Sequence, residues 1–134
     1  MSDTVAIKKQ DYKPHFTDME KLGQGASGIV YSAKDKRTGR QVALKIAPIS
    51  ELKELENEIG LQAMTKHPNI VECIEAYANK TSVCIVMELM TGGSLTDLLD
   101  VRSPMPENVI AGVCKGMLMA LAYMHRQFRL HRWV

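Results

Sequence analysis

A glycine-rich stretch in the first quarter of the chain reads Gly23-Gln24-Gly25-Ala26-Ser27-Gly28-Ile29-Val30. Glycines at this spacing let the backbone approach phosphate groups so that N–H groups make the contact. The same spacing occurs in dinucleotide-binding turns, where a helix follows the glycines, and a P-loop needs Gly-Lys-Ser/Thr at a helix start. Here residues 29–33 make a short run that is rich in strand-forming residues. The pattern favours a strand–loop–strand hairpin over phosphates, with a plain glycine-rich hairpin as the alternative.

A lysine interrupts the next apolar strand pattern, Val42-Ala43-Leu44-Lys45. A buried ammonium group is costly unless it is paired with an anion. A helical pattern begins at Ser50, which we expect to cap it, and places apolar residues on one face at Leu52, Leu55 and Ile59. Glu58, beside that face, is the expected partner of Lys45. The alternative is a solvated edge-strand lysine next to an ordinary acidic helix.

The remaining pattern divides the chain into three segments. Residues 1–15 show no hydrophobic periodicity, and we expect a flexible N-terminal segment. Residues 16–89 carry short strands, a hairpin tip at 36–40 and the helix, which we expect to end at His67-Pro68-Asn69. Residues 90–134 carry a short helix from Ser94 and a longer one from Pro106, whose apolar sector nearly encircles it.

Bulk properties exclude several classes of protein. A chain of 134 residues fits one modest domain, and a net charge of +2 favours neither a nucleic acid nor an anionic membrane as partner. The cysteines stand singly in apolar stretches, as expected of reduced core thiols rather than disulfides or metal ligands: Cys73, Cys84 and Cys114. No apolar run is long enough for a membrane span, and residues 1–14 do not look like a signal peptide. We expect the cytoplasm or the nucleus.

Taken in order, these motifs resemble the eukaryotic protein kinase domain. The matching segments are Gly23–Val30, Val42–Lys45, Glu58, His67–Val71 and Val86–Leu95. Within that domain, the segments around the glycine loop, Asn57-Glu58-Ile59 and 92–97 are most similar to the p21-activated (PAK-like) serine/threonine kinases of the STE group. The resemblance implies an α+β fold. It consists of an N-lobe with a five-stranded antiparallel sheet and one helix, a hinge, and the first two helices of an incomplete C-lobe.

The resemblance also implies a role for each site residue. The glycine loop would cover the phosphates of ATP, and Lys45, paired with Glu58, would hold the α- and β-phosphates. Met87 falls at the gatekeeper position, and the backbone of Glu88 and Met90 would bond the adenine edge. Leu22, Val30 and Ala43 would line the adenine pocket, and Ser94 or Asp97 would lie near the ribose. The full implied ATP-binding set is Leu22, Gly23, Gln24, Gly25, Ala26, Ser27, Gly28, Val30, Ala43, Lys45, Met87, Glu88, Met90, Ser94 and Asp97.

Two positions depart from the family pattern. Gln62, one turn after Glu58, occupies a position that is usually apolar, and we expect it to weaken packing against the C-lobe. His131 and Arg132 match the His-Arg-Asp motif, but Trp133 stands where the catalytic aspartate belongs. In the family sequence, the residues that bind Mg²⁺ follow the position that corresponds to residue 134. We therefore expect no kinase activity from this polypeptide.

Three functional hypotheses follow. The chain is the ATP-binding portion of a serine/threonine kinase that phosphorylates protein substrates, with Mg²⁺, only in a complete form. Alternatively, it is a non-catalytic module, such as a decoy, that binds nucleotide or a partner. The third hypothesis is a nonfunctional product that is degraded. Because the long helix would expose apolar surface, we also expect aggregation, partial disorder after about residue 100, or chaperone association.

Overall fold

The protein has an α+β fold, as expected. The computed structural model describes residues 5–25, 28–101 and 103–127. Its strands are β1 (Ile7–Lys8), β2 (Phe16–Gly25), β3 (Gly28–Asp35), β4 (Gln41–Pro48), β5 (Cys73–Ala78) and β6 (Ser82–Glu88). Its helices are α1 (Leu52–Ala63), α2 (Leu95–Val101) and α3 (Glu107–Arg126). The described residues fall into two compact units, one within 1–66 and 71–89 and the other within 67–70 and 90–134.

The first unit is built on one mixed sheet in the order β1-β5-β6-β4-β3-β2. The five strands from β2 to β6 pair antiparallel along this order, and β1 adds a sixth strand parallel to β5. The expected five-stranded antiparallel sheet is therefore present with one extra edge strand. The hairpin tip expected at 36–40 connects β3 to β4, with Gly39 at a φ of 74°.

The helix α1 covers one face of this sheet. Leu55 and Ile59 are buried there against a cluster from three strands: Ala47, Cys73, Ala76, Val83 and Ile85. The helix begins at Leu52 after a 3₁₀ turn at Ile49–Glu51, and it has no side-chain cap, so Ser50 does not play the expected capping role. It ends at Ala63, four residues before the predicted stop.

The N-terminal segment contacts both faces of the sheet, because Ile7 packs against the α1-facing cluster and Tyr12 packs on the opposite face. Ile7 and Lys8 pair with Ala76 and Tyr77 of β5. Tyr12 is 5% exposed, and it joins a second cluster with Phe16, Val42, Leu44, Tyr77, Cys84 and Val86. Residues 7–12 are thus held to the sheet, which differs from the flexible N-terminal segment expected over 1–15. The physical reason is one buried aromatic ring, which a period-based reading of a polar segment does not detect.

An ionic cluster joins the β3–β4 turn to β5. Arg37 donates to Asp35 Oδ2 at 2.9 Å and to Glu75 Oε2 at 2.8 Å. The hydrogen bond from the Arg37 guanidinium lowers the pKa of Asp35, which is 6% exposed. Burial raises the pKa of Glu75, but the hydrogen bonds from Arg37, Tyr77 and Lys8 outweigh it, so the pKa is lowered. These contacts tie together parts of the sheet that are not adjacent in the strand order.

The second unit contains α2 and α3 near the predicted positions. His67 stacks obliquely on Tyr123 of α3, with ring centroids 5.2 Å apart, and Asn69 lies against Gly116. Most large apolar side chains of these helices are exposed, among them Leu95, Leu99, Val101, Ile110, Met117, Leu118 and Met119. Within the described residues, no helix is both long and apolar enough to cross a bilayer.

Candidate functional site

The glycine-rich stretch forms the turn of the β2–β3 hairpin. Gly23 pairs with Val30, and Gly25 pairs with Gly28 across the hairpin. Ala26 and Ser27 lie outside the described residues. A Cβ built on Gly23 or Gly25 would meet no atom within 4 Å, so the space over this backbone is open. That openness suits the approach of a phosphate group to backbone N–H groups.

Lys45 lies on β4, directly opposite Val30 of β3. It shares the α1-facing side of the sheet with Ala47 and with its other cross-strand partner, Ile85. Its side chain is partly buried. A cation in this position is flanked by apolar groups and by the glycine hairpin. The sequence reasoning therefore located a lysine inside a core strand correctly.

The predicted pairing of Lys45 with Glu58 is not formed in the described part of the chain. The ion pairs there involve Lys8, Arg37 and their partners, and Lys45 is in none of them. Glu58 is exposed on α1. The physical reason is the rotation of the helix about its axis, because burial of Leu55 and Ile59 directs Glu58 away from the sheet. A supporting role for Glu58 stays a prediction.

The apolar residues predicted to line the adenine pocket lie in neighbouring strands. Ala43, 6% exposed, pairs laterally with Met87 of β6, and both share the α1-facing side with Lys45. Val30 is partly buried, whereas Leu22, near the end of β2, is 56% exposed. The sheet thus brings Val30, Ala43, Lys45 and Met87 onto one face.

Glu88 ends β6 and is bonded twice to the segment that precedes β5. Its backbone N–H donates to the Glu72 carbonyl oxygen at 3.0 Å. Its side-chain Oε2 accepts the backbone N–H of Glu72 at 2.9 Å. The next predicted contact residue, Met90, belongs to the second unit and is 50% exposed. Sequence reasoning did not single out Glu72, because an acid before a strand carries no distinguishing pattern.

Ser94 and Asp97 bond each other at the start of α2. The backbone N–H and the hydroxyl of Ser94 donate to Asp97 Oδ2 at 2.9 and 2.8 Å, and the Asp97 N–H donates back to Ser94 Oγ at 3.1 Å. This reciprocal arrangement is a capping box. The hydrogen bonds from Ser94 lower the pKa of Asp97. The observed function of the pair is to start the helix, and the ribose contact predicted for either stays a prediction.

Gln62 has a partner that the sequence did not reveal. Its Nε2 donates to the carbonyl oxygen of Val71 at 3.3 Å, which links the last turn of α1 to the segment before β5. We expected this polar residue to weaken packing elsewhere, but in the first unit it makes a specific contact. The unusual residue type was the available signal, and only the fold shows what it bonds.

The described residues do not form a metal site. No group of three His, Cys, Asp or Glu side chains among them is placed to hold an ion. The positions that resemble the catalytic motif, His131, Arg132 and Trp133, lie outside the residues that the structure describes.

Comparisons with known proteins agree on one family. A family model described as the protein kinase domain matches residues 16–134. The chain is 41% identical to the serine/threonine-protein kinase PAK 1 of Mus musculus, over 98% of this chain and 26% of that protein. It is 38% identical to PAK mbt of Drosophila melanogaster, over 96% of this chain and 20% of that protein. It is 35% identical to pakA of Dictyostelium discoideum, over 98% of this chain and 11% of that protein. The chain thus spans about a quarter or less of these curated relatives.

Proposed function

Because this chain belongs to the protein kinase domain family, we propose that its first unit binds ATP through the glycine hairpin and Lys45. The relatives are named as serine/threonine kinases. We extend that class to this chain by proposing that a longer polypeptide with a complete domain phosphorylates serine or threonine in proteins.

The position of Lys45 is the observation that carries the proposal. Lys45 is a partly buried residue opposite β3 of the hairpin, and within the described residues it has no carboxylate at ion-pair distance. A cation that is partly desolvated and unpaired favours an anionic ligand. The open space over the backbone at Gly23 and Gly25 lets the same ligand approach the hairpin closely. A polyphosphate satisfies both conditions.

The base of the nucleotide would lie on the apolar part of the same face. Val30, Ala43 and Met87 provide a flat, weakly polar surface next to Lys45. The backbone of Glu88 follows Met87 and offers a donor and an acceptor at a strand end. The roles of Leu22, Met90, Ser94 and Asp97 rest on the family resemblance. The family uses Mg²⁺ with ATP, but the described residues do not fit that ion, and we assign no step to it.

We further propose that the 134-residue polypeptide does not transfer phosphate. Trp133 stands where the family has its catalytic aspartate, and an indole can neither accept the proton of a substrate hydroxyl nor orient that hydroxyl. General-base assistance alone accounts for about 10²–10⁴ in rate. Labelling of a serine/threonine peptide pool from radioactive ATP by the purified chain would contradict this.

A nucleotide titration tests the binding proposal. We expect saturable ATP binding, weakened about tenfold or more by Lys45→Ala, since hydrogen bonds to charged groups contribute about 1.5–3 kcal/mol. Lys34→Ala is the matched control, because Lys34 is an exposed lysine on neighbouring β3. Equal weakening by both variants would mean nonspecific charge attraction. No binding by the folded wild-type chain would refute the proposal.

A further inference from the structure

One peptide group lies between α1 and the end of β6. The Val71 carbonyl oxygen and the Glu72 N–H belong to the same peptide plane. Gln62 Nε2 of α1 donates to that oxygen at 3.3 Å. Glu88 Oε2 of β6 accepts from that N–H at 2.9 Å. The two ends of one planar amide are therefore held by side chains from two different elements.

The side chain of Glu88 replaces its own carbonyl in the strand ladder. In an antiparallel hydrogen-bonded pair, two residues exchange backbone N–H and carbonyl groups in both directions. Glu88 gives its N–H to Glu72 in the usual way, but the Glu72 N–H goes to the Glu88 carboxylate. Among the described contacts, the Glu88 carbonyl does not serve Glu72. The Glu88 carboxylate, in place of the Glu88 carbonyl, thus forms the second hydrogen bond between the end of β6 and Glu72.

We propose that Gln62 and Glu88 act together, through the Val71–Glu72 peptide, as positioning residues that couple α1 to the Glu88 end of β6. A peptide group is rigid and planar, so rotation that optimises one hydrogen bond changes the geometry of the other. Donation and acceptance on one amide also polarise it and strengthen both bonds. In this way the orientation of α1 biases the strand end whose backbone is proposed to bond the adenine edge. The inference rests on the proposed ATP site, but its first test does not.

That first test is amide hydrogen exchange of the 134-residue chain without nucleotide. Glu88→Met removes the acceptor at similar length, and Gln62→Met removes the donor. We expect both variants to speed exchange of the Glu72 N–H by about fivefold or more, although Gln62 bonds the carbonyl oxygen of that peptide group and not its N–H. Glu88→Gln keeps an acceptor oxygen and should restore slow exchange. Asn57→Met, at an exposed position of the same helix, is the control.

The double variant tests coupling between residues that have no contact with each other. If the peptide transmits the effect, the loss of protection in Gln62→Met/Glu88→Met falls short of the product of the single losses by about threefold. Unchanged Glu72 exchange in Gln62→Met, or strictly multiplicative effects, would overturn the proposal. These outcomes stand whether or not the chain binds ATP.

A second measurement connects the relay to the base of the nucleotide. We expect Gln62→Met and Glu88→Met each to weaken ATP binding about three- to tenfold. Binding of inorganic tripolyphosphate, which has no adenine, should change less than about twofold. Equal loss for both ligands would refute positioning of the adenine edge. Absence of ATP binding in the wild type would instead refute the proposed function and leave the exchange result to decide the relay.

Discussion

Gly28 lies so close to Ile46 that any side chain at residue 28 would overlap the carbonyl oxygen of Ile46. A Cβ built on Gly28 meets that carbonyl, and the φ of Gly28 is 129°, a region that other residues rarely adopt. Gly28 also pairs with Gly25 to close the β2–β3 hairpin. The third glycine of the motif is therefore required by the sheet itself, independently of any phosphate.

We accordingly predict that Gly28→Ala destabilises the first unit by about 2 kcal/mol or more, because backbone strain and overlap add. Gly23→Ala, where a Cβ meets no atom within 4 Å, should cost much less. Urea denaturation followed by circular dichroism measures the difference. Similar midpoints for the two variants would contradict the close approach.

The ionic cluster around Arg37 predicts a stability loss in acid. A carboxylate whose folded pKa is lowered stabilises the fold above its unfolded pKa, near 3.9 for Asp, and loses that contribution as the pH falls through the folded pKa. The Arg37 guanidinium lowers the pKa of Asp35 in this way. We expect the free energy of unfolding to fall below about pH 4 and the fall to be shallower in Asp35→Asn, as measured by urea titrations at several pH values.

Arg37→Met separates the cluster from general charge effects. Removal of the guanidinium leaves the buried Asp35 and the partly buried Glu75 without their shared donor, and we expect a cost of about 2 kcal/mol. Arg40→Met changes the same residue type in the same turn, where the side chain is exposed. Equal melting temperatures for the two variants would show that the cluster contributes nothing.

Burial of Tyr12 predicts that the N-terminal segment stabilises the sheet. Tyr12 is 5% exposed among Phe16, Val42 and Leu44. Tyr12→Ala should therefore cost about 3 kcal/mol, as for other large-to-small core substitutions. Lys13→Ala, at the exposed neighbour, should be nearly neutral in the same thermal unfolding experiment. A neutral Tyr12→Ala would restore the interpretation of a flexible N-terminal segment.

Much of the fold follows from local pattern. The strands from β2 to β6 and the helices α2 and α3 have turn residues and periods that a single sequence displays, and the lysine inside β4 stands out chemically. The two-residue strand β1 does not, because its parallel pairing with β5 depends on residues almost seventy positions away. Ser50 illustrates a competing local choice, since a 3₁₀ turn occupies the position where a cap was expected.

The sequence indicated which elements carry the candidate site residues, but it did not indicate the contacts that these residues make. Register between β3 and β4 decides that Val30 faces Lys45, and no sequence pattern specifies register. The side-chain direction of Glu58 depends on how Leu55 and Ile59 seat α1 on the sheet. Gln62 was visible as unusual, yet its partner, Val71, is fixed only by the tertiary fold.

The three cysteines should separate clearly in reactivity. Burial raises the pKa of Cys73 to about 11 and that of Cys84 to about 12, so thiolate is scarce at both. Cys114 is exposed on α3, unlike the core thiol expected from its apolar surroundings. With iodoacetamide at pH 8, Cys114 should be modified at least about 100-fold faster. Comparable rates in native buffer, read by peptide mass spectrometry, would show that the sheet opens.

Exposed apolar side chains on α3 predict self-association that polar substitutions relieve. Ile110, Met117 and Leu118 are 46%, 47% and 64% exposed, and contiguous apolar surface of this kind promotes aggregation or chaperone binding. The triple variant Ile110→Gln/Met117→Gln/Leu118→Gln should bind less of a hydrophobic dye and scatter less light. Its helix content should be similar, because Gln is close to Leu and Met in helix propensity. Unchanged scattering with unchanged helix content would mean that this face does not drive association. A collapse of helix content would mean that these side chains are needed for folding of the unit.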